Sequence, residues 1–437
     1  MITQAVFNFN IERTEKNITA NAGLSFLARY IHGLGINQLA DKYLPLPGNA
    51  KGYKPSEYVD TFILLLCGGG RSLEDNRMLK QDRPLQKILG SRAVPSSDAM
   101  GDWLRRVGKE GLPGAGLIQA KVIERLMRHS DTTVYTLDVD ATEIVSHKQS
   151  ARFTYNKNKG YMPMLGFLAE NQLCICDEFR AGNESPNSKQ IPFYENCVRN
   201  MPTGKRIGYY RADSACYQSA LINRLEKDTV RFAITARMDK AVYQAIAQIP
   251  ETDWYCPKDD PDHLFEYALT VHSMEETDQA FYLSVKRERI RQDELFEHMS
   301  EYKYHAVATN HDPDKLKAHC IHRWYNQRCR AENLNKEVKS GFGLERMPCG
   351  TFKANALFFR IGILSYNLFV GFKRLCCPRG WMQHTIATVR WRLLHVAGQV
   401  VYHARKLTLR LRVSDEMMRV YEYIVERIAV LSACYAH

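Results

Sequence analysis

Residues 132–142 read TTVYTLDVDAT. Up to about Ser130 the apolar residues recur at helical spacing; from Thr132 to Asp140 they alternate and are rich in β-branched types, which predicts a strand. Side chains two apart on a strand share a face, so Asp138 and Asp140 point the same way. Two neighbouring carboxylates repel unless a cation or a proton relieves them. The strand is otherwise apolar enough to be central, so a site at the top of a sheet is expected.

Working outward toward the C-terminus, Tyr161–Ala169 and Leu173–Phe179 read as two more strands. The turn at Gly182–Pro186 leads into a helix near Ser188–Asn200. Arg206–Ala212, RIGYYRA, is a fourth strand that delivers Asp213 at its end; Ser214–Leu225 is helical and Val230–Ala236 a fifth strand. Three strands, helix, strand, helix, strand resembles the ribonuclease-H-like pattern. That fold gathers acids from the first strand, the fourth strand and a later helix.

The later helix is expected across Pro313–Ser340. Within it, residues 324–342 read WYNQRCRAENLNKEVKSGF. At about 100° per residue, Tyr325, Arg328, Glu332 and Lys339 fall within an arc of roughly 60°. Alone this reads as a solvated salt-bridge face; with Asp140 and Asp213 upstream, Glu332 becomes the third acid of a site. Glu337 lies about 140° away from Glu332 and is expected to be solvated. Asp138 ranks below Asp140.

The remaining segments frame this core. Before Ser130 the chain is mostly helical, with repeated cations from Arg71 to Arg106. Between Met238 and Met299 short alternating segments around Trp254, Phe265 and Tyr282 predict a β-rich insertion, and Tyr304–Thr309 returns to a buried strand. After Phe342 come helical stretches at Phe352–Leu375 and Gln383 to about Val401, a strand at Lys406–Val413 and a helix at Asp415–Leu431. The expected fold class is therefore α/β: a core resembling ribonuclease H (131–237 and 300–345), a β-rich insertion (238–299), a helical N-terminal domain (1–130) whose cations suit either a DNA-binding module or a packing domain with a basic surface, and a basic, mostly helical C-terminal region (346–437); the family resemblance given below makes the core catalytic and the N-terminal domain DNA-binding.

Composition narrows the partners. A chain of 437 residues is too long for one small domain. The formal net charge is +12. From Glu345 onward there are 14 Lys/Arg against 5 Asp/Glu, a surplus of 9 that suits a polyanion. The 12 cysteines show no paired CxxC spacing, which fits reduced thiols in a cytosolic protein better than a disulfide framework. No apolar leader opens the chain, and the run Ile361–Phe372 is too short to span a membrane.

Three carboxylates at one sheet end favour hard divalent cations and phosphoryl transfer. At this point the residues resemble a known family, the DDE transposases of bacterial insertion sequences. Tyr325, Arg328, Glu332 and Lys339 match the signature Y-x(2)-R-x(3)-E-x(6)-K at every spacing. Leu137–Thr142, LDVDAT, resembles the first-acid motif and selects Asp140; Arg211–Ser214, RADS, resembles the second and selects Asp213. Gly68–Asp82 is similar to the branch called DDE transposase group 1. The resemblance implies Asp140, Asp213 and Glu332 as catalytic residues and ligands of two Mg²⁺ ions, with Mn²⁺ as a substitute. It implies DNA contacts from Tyr325, Arg328 and Lys339, and an insertion aromatic, with Trp254 the candidate, stacking on a flipped base. It further implies double-stranded DNA partners (terminal inverted repeats and target), a homodimer in a synaptic complex, cut-and-paste cleavage with strand transfer, and a place in the bacterial cytoplasm at the nucleoid. The alternatives are a catalytically silent DNA-end-binding protein and a nuclease of the same fold without strand transfer.

Overall fold

The computed structural model describes residues 10–49, 51–90, 94–258, 264–290 and 301–435. The molecule is α/β and is organised by a mixed sheet of eight strands. In chain order these are β1 (Val134–Ala141), β2 (Met164–Leu168), β3 (Cys174–Glu178), β4 (Arg206–Ala212), β5 (Arg231–Thr235), β6 (Phe265–His272), β7 (Phe281–Arg289) and β8 (Tyr302–Thr309). Across the sheet they run β6-β7-β8-β5-β4-β1-β2-β3. Only β1–β4 and β4–β5 are parallel pairs among these neighbours; the others are antiparallel.

The two parallel neighbours fix the site. The register sets Asp138 beside Arg211 and Val139 beside Ala212. One step further, Asp140 and Asp213 leave the carboxyl ends of adjacent strands, the edge where open α/β sheets place their chemistry. The helices Gln190–Arg199 and Ser219–Lys227 make the crossovers that parallel pairing requires. Each buries an apolar stripe on the sheet, through Phe193, Tyr194 and Cys197 and through Leu221, Ile222 and Leu225.

The expected insertion does not fold away from this sheet. It contributes a helix, Lys240–Ala247, and the strands β6 and β7. Strand β8 then pairs with β5 (Val307 beside Thr235), so the insertion widens the central sheet instead of forming its own. Its stretches 259–263 and 291–299 lie outside the described residues.

At the other edge, the long helix Phe352–Cys376 covers β3. Unpaired edge groups invite foreign strands, and here they are satisfied from within. The Asn367 amide donates to the Cys174 carbonyl and accepts from its N–H, both at 2.8 Å. Arg360 pairs with the buried Asp177 at 3.1 Å. Among the described residues this is the one helix long and apolar enough to cross a membrane, and 94% of its apolar window is buried inside the protein. It packs against Pro55–Cys67, Ser97–Val107 and Gly111–Met127 from the N-terminal segment, and against Asp415–Tyr435 from the C-terminal one. The two ends of the chain thus share one hydrophobic core that runs from Leu24 to Leu431. The stretch expected to be helical from Gln383 to Val401 is shorter. A helical turn at Ile386–Val389 and a wide turn at Arg390–Leu394 give way to a strand, Gly398–His403, held between Ile18–Thr19 and Lys406–Leu411.

Candidate active site

The helix carrying the signature is broken. Instead of one run across Pro313–Ser340, the chain makes Ala318–Asn326, a tight step at Gln327–Arg328, then Cys329–Lys336 and a wide π turn, Glu337–Gly341. At the step, hydrogen bonds shorten to three-residue spacing: Arg328 N–H donates to the Tyr325 carbonyl at 2.8 Å and Ala331 N–H to the Arg328 carbonyl at 2.7 Å. The step is tied to the sheet. The Arg211 guanidinium donates to the Trp324 carbonyl at 2.7 Å, and that carbonyl accepts within the helix only at three-residue spacing, from Gln327 N–H at 3.2 Å. The π turn follows with Phe342 N–H donating back to Glu337 at 3.0 Å; such wide turns often mark functional positions.

These breaks bring Glu332 and Arg328 over the strand ends. The Arg328 guanidinium lies 3.6 Å from Asp140 and 3.1 Å from Glu332, so one cation bridges two of the three acids. Its Nη1 is buried without a hydrogen-bond acceptor. On the other side, the Asn335 amide donates to Asp140 Oδ2 at 2.7 Å. Asp213 starts a short helical turn and accepts from Ala215 N–H at 3.0 Å. Burial pushes the Asp140 carboxyl up to about 6; Arg328 opposes this, and the negative charges of Asp213 and Glu332 add to it. Asp140 therefore feels both other acids, with burial as the main cause of its raised proton affinity. The Arg328 guanidinium is held more firmly protonated than usual: burial alone would weaken it, but Tyr325, Asp140 and Asp213 outweigh that.

The donor set fits a hard divalent cation in kind, since all three side chains offer carboxylate oxygen. The expected metal set is not assembled in place, however. Among the described residues no three His, Cys, Asp or Glu side chains are grouped to hold an ion. The reason is visible in the geometry: Glu332 is half-exposed and turned onto Arg328, whose charge lies where the carboxylates face one another.

The other expected residues are dispersed around this centre. Tyr325 is buried beneath Arg328, and its hydroxyl accepts from Thr235 Oγ1 at 2.5 Å. Lys339 reaches down to the Glu143 carbonyl at 3.2 Å. Trp254 does not join the site, contrary to expectation. It is 9% exposed, with the Arg287 guanidinium 4.2 Å over its ring, and Arg287 is itself fixed by Glu251 and Glu266. In this structure one face of the ring is covered by a doubly paired arginine and the side chain is buried. Glu337, expected in solvent, instead accepts from the Ile386 N–H at 2.6 Å.

Two supporting residues escaped the sequence reading. Arg211 grips Asp138 through two bonds, at 2.7 and 2.8 Å, and both side chains are buried. The parallel register sets Arg211 against Asp138, a pairing that the sequence does not signal. Asn335 lies three residues after Glu332, and so on the same helix face.

The chain matches the family model described as transposase DDE domain group 1 across residues 5–433. No curated protein matches it. Among solved structures it is similar to a piggyBac transposase synaptic complex with hairpin DNA, at 10% identity, covering 97% of this chain and 87% of that one, with a TM-score of 0.47. With the family's pattern running through nearly its whole length, the protein belongs to the transposase DDE domain group 1 family.

Proposed function

We propose that this transposase cuts and joins DNA at the inverted-repeat ends of its own insertion sequence, through a ribonuclease-H-like core. The observation that carries the reading is the placement of Asp140 and Asp213 at the ends of adjacent parallel strands, with Arg328 bridging Asp140 and Glu332. The order β3-β2-β1-β4-β5 within the sheet, with helices between β3 and β4 and between β4 and β5, supports the fold assignment. Two Mg²⁺ ions, or Mn²⁺ in their place, would be held by the three carboxylates and would supply the charge that activates the attacking oxygen and stabilises the leaving one.

The chain's own residues do the positioning. Arg328 and Lys339 offer cations beside the acids for the oxygens of the scissile phosphate, and Tyr325 supports Arg328 from below. A water oxygen adds to phosphorus and the bond to the 3′ oxygen breaks. The water proton passes to solvent, and the departing oxygen takes one up. The free 3′-hydroxyl then attacks a phosphodiester of the target in the same chemical sense. A homodimer pairing two ends, with basic residues of the C-terminal segment on the DNA, completes the proposal.

The decisive experiment is cleavage of a duplex carrying the DNA that flanks the gene, with and without Mg²⁺. Wild-type protein nicks it only with the metal and yields strand-transfer products. Asp213→Ala loses cleavage by about 10⁴-fold or more while still binding. Nicking by Asp213→Ala at the wild-type rate would overturn the site. Binding without any cleavage by the wild type would leave an end-binding protein, and nicks without joined products a nuclease.

A further inference from the structure

Three residues beyond Asp140 the chain leaves the main sheet and builds a small one from Ile144–Val145, Arg152–Phe153 and Lys159–Tyr161, with the last in the middle. Its tip is built tightly. Glu143 accepts from Thr154 Oγ1 and from the side-chain amides of Asn156 and Asn158 at 3.2 and 3.3 Å. Lys157 closes the turn at φ +64°, a conformation that costs a side-chain-bearing residue energy and persists where the surroundings enforce it. Gly160 admits no side chain, because a Cβ there would lie 2.1 Å from the Ile144 carbonyl oxygen. The base of this hairpin is tied to the site by the bond from Lys339 to the Glu143 carbonyl, 3.2 Å.

What this rigid tip presents is unusual for a surface with no partner. Phe153 is 69% exposed and Tyr155 is 67% exposed, and among the described residues neither ring meets another aromatic ring. The same hairpin carries Lys148, Arg152, Lys157 and Lys159, none of which forms an ion pair among the described residues, although Arg152 donates to the Gln149 and Ala151 carbonyls. The nearest acid, Glu143, is consumed by the turn. Isolated exposed apolar residues are ordinary, but two aromatics held on a stiff hairpin among four unpaired cations have the chemistry of a single-strand grip: rings for base faces, cations for phosphates.

We propose that the hairpin 144–161 clasps DNA beside the cleavage point, Phe153 and Tyr155 stacking on bases unpaired there while Lys148, Arg152, Lys157 and Lys159 hold the adjoining backbone. The inference rests on the proposed function, for which it names the stacking surface that Trp254 does not provide. The charge complementarity and the bond to Lys339 place the occupant next to the scissile phosphate.

The test uses the full chain and a forked duplex whose unpaired arm carries 2-aminopurine, compared with the same duplex fully paired. Phe153→Ala/Tyr155→Ala weakens binding of the forked DNA by about 10-fold or more. It also abolishes the quenching of 2-aminopurine that stacking produces, and it leaves the paired duplex within about 2-fold. Phe153→Trp/Tyr155→Phe restores both. Lys157→Ala/Lys159→Ala weakens both DNAs and lowers the slope of log affinity against log salt by about 1–2. Unchanged quenching in the double alanine variant, or equal weakening of forked and paired DNA, overturns the proposal. If that happens while Asp213→Ala remains inactive, the hairpin grip falls and the proposed function stands. If Asp213→Ala cleaves, the catalytic reading falls instead.

Discussion

Asp138 and Asp140 lie two residues apart on one strand, yet the protein treats them in opposite ways. Asp138 is buried and has a dedicated partner: Arg211 binds both of its oxygens. Asp140 shares one guanidinium with Glu332, at 3.6 Å and 3.1 Å, and stands near one further negative charge, that of Asp213. The first pair is closed; its atoms are satisfied and it ties β1 to β4 and, through the Trp324 carbonyl, to the broken helix. The second is open, since Asp140 meets its cation only at 3.6 Å. Burial raises the proton affinity of both carboxylates, so what distinguishes them is contact: Asp138 has both oxygens on Arg211, whereas Asp140 lies near two other acids, and on the proposed function this separates the reactive acid from the structural one.

Exchanging the two acids for amides breaks the comparison most sharply. Asp140→Asn removes about 10⁴-fold or more of cleavage and leaves the fold intact. Asp138→Asn strands the Arg211 charge in the interior and lowers folding stability by about 3–5 kcal/mol, read by urea denaturation. Its cleavage loss follows the population of folded protein. Should Asp138→Asn fold normally and fail only in cleavage, the division of roles is reversed.

Next in size is the pH dependence. Asp140 carries its proton up to about 6 in the folded protein, above the ordinary value near 3.8. Between those values the folded state holds a proton that the unfolded state has lost, so stability falls as pH rises through this window. In metal-free buffer, wild-type protein loses roughly 1–3 kcal/mol between pH 4 and 7 from this group, and Asp140→Asn does not. Added Mg²⁺ narrows the gap by supplying the missing charge. Parallel pH curves for the two proteins would mean that Asp140 is already compensated.

Much of this was legible in the sequence, for physical reasons that differ by residue. Strand β1 announced itself through alternation and β-branched residues, and its Asp140 through a motif. Arg206–Ala212 was expected with the bounds it has. What alternation cannot reveal is which strands pair, so the Arg211–Asp138 bond and the widening of the sheet by β6 and β7 were invisible. The signature helix failed for a similar reason. A period of about 100° per residue assumes an unbroken ladder, whereas the ladder tightens to three-residue spacing at Gln327–Arg328, where Arg211 from another strand also donates to the Trp324 carbonyl. Trp254 failed because nothing local shows that Arg287, more than thirty residues on, lies across its ring.

The smallest expected effect separates the two glutamates of the signature segment. Glu332 is half-exposed and, among the described residues, pairs with Arg328, so its expected fold contribution is that of a surface pair, about 0–1 kcal/mol, and on the proposed function its worth is chemical. Glu337 has the reverse character. It sits in the π turn and accepts from the Ile386 N–H at 2.6 Å, joining the site's helix to the first turn of Ile386–Val389. Glu337→Gln keeps an acceptor oxygen there, so stability falls by only about 1 kcal/mol, through loss of the charge from the hydrogen bond. Cleavage stays within a few-fold of wild type, since no phosphate or carboxylate of the site depends on it. Glu332→Gln, with the same change of one atom, loses cleavage while its melting temperature scarcely moves. Equal cleavage losses in the two variants would show that the π turn, and not Glu332 alone, sets the position of the third acid.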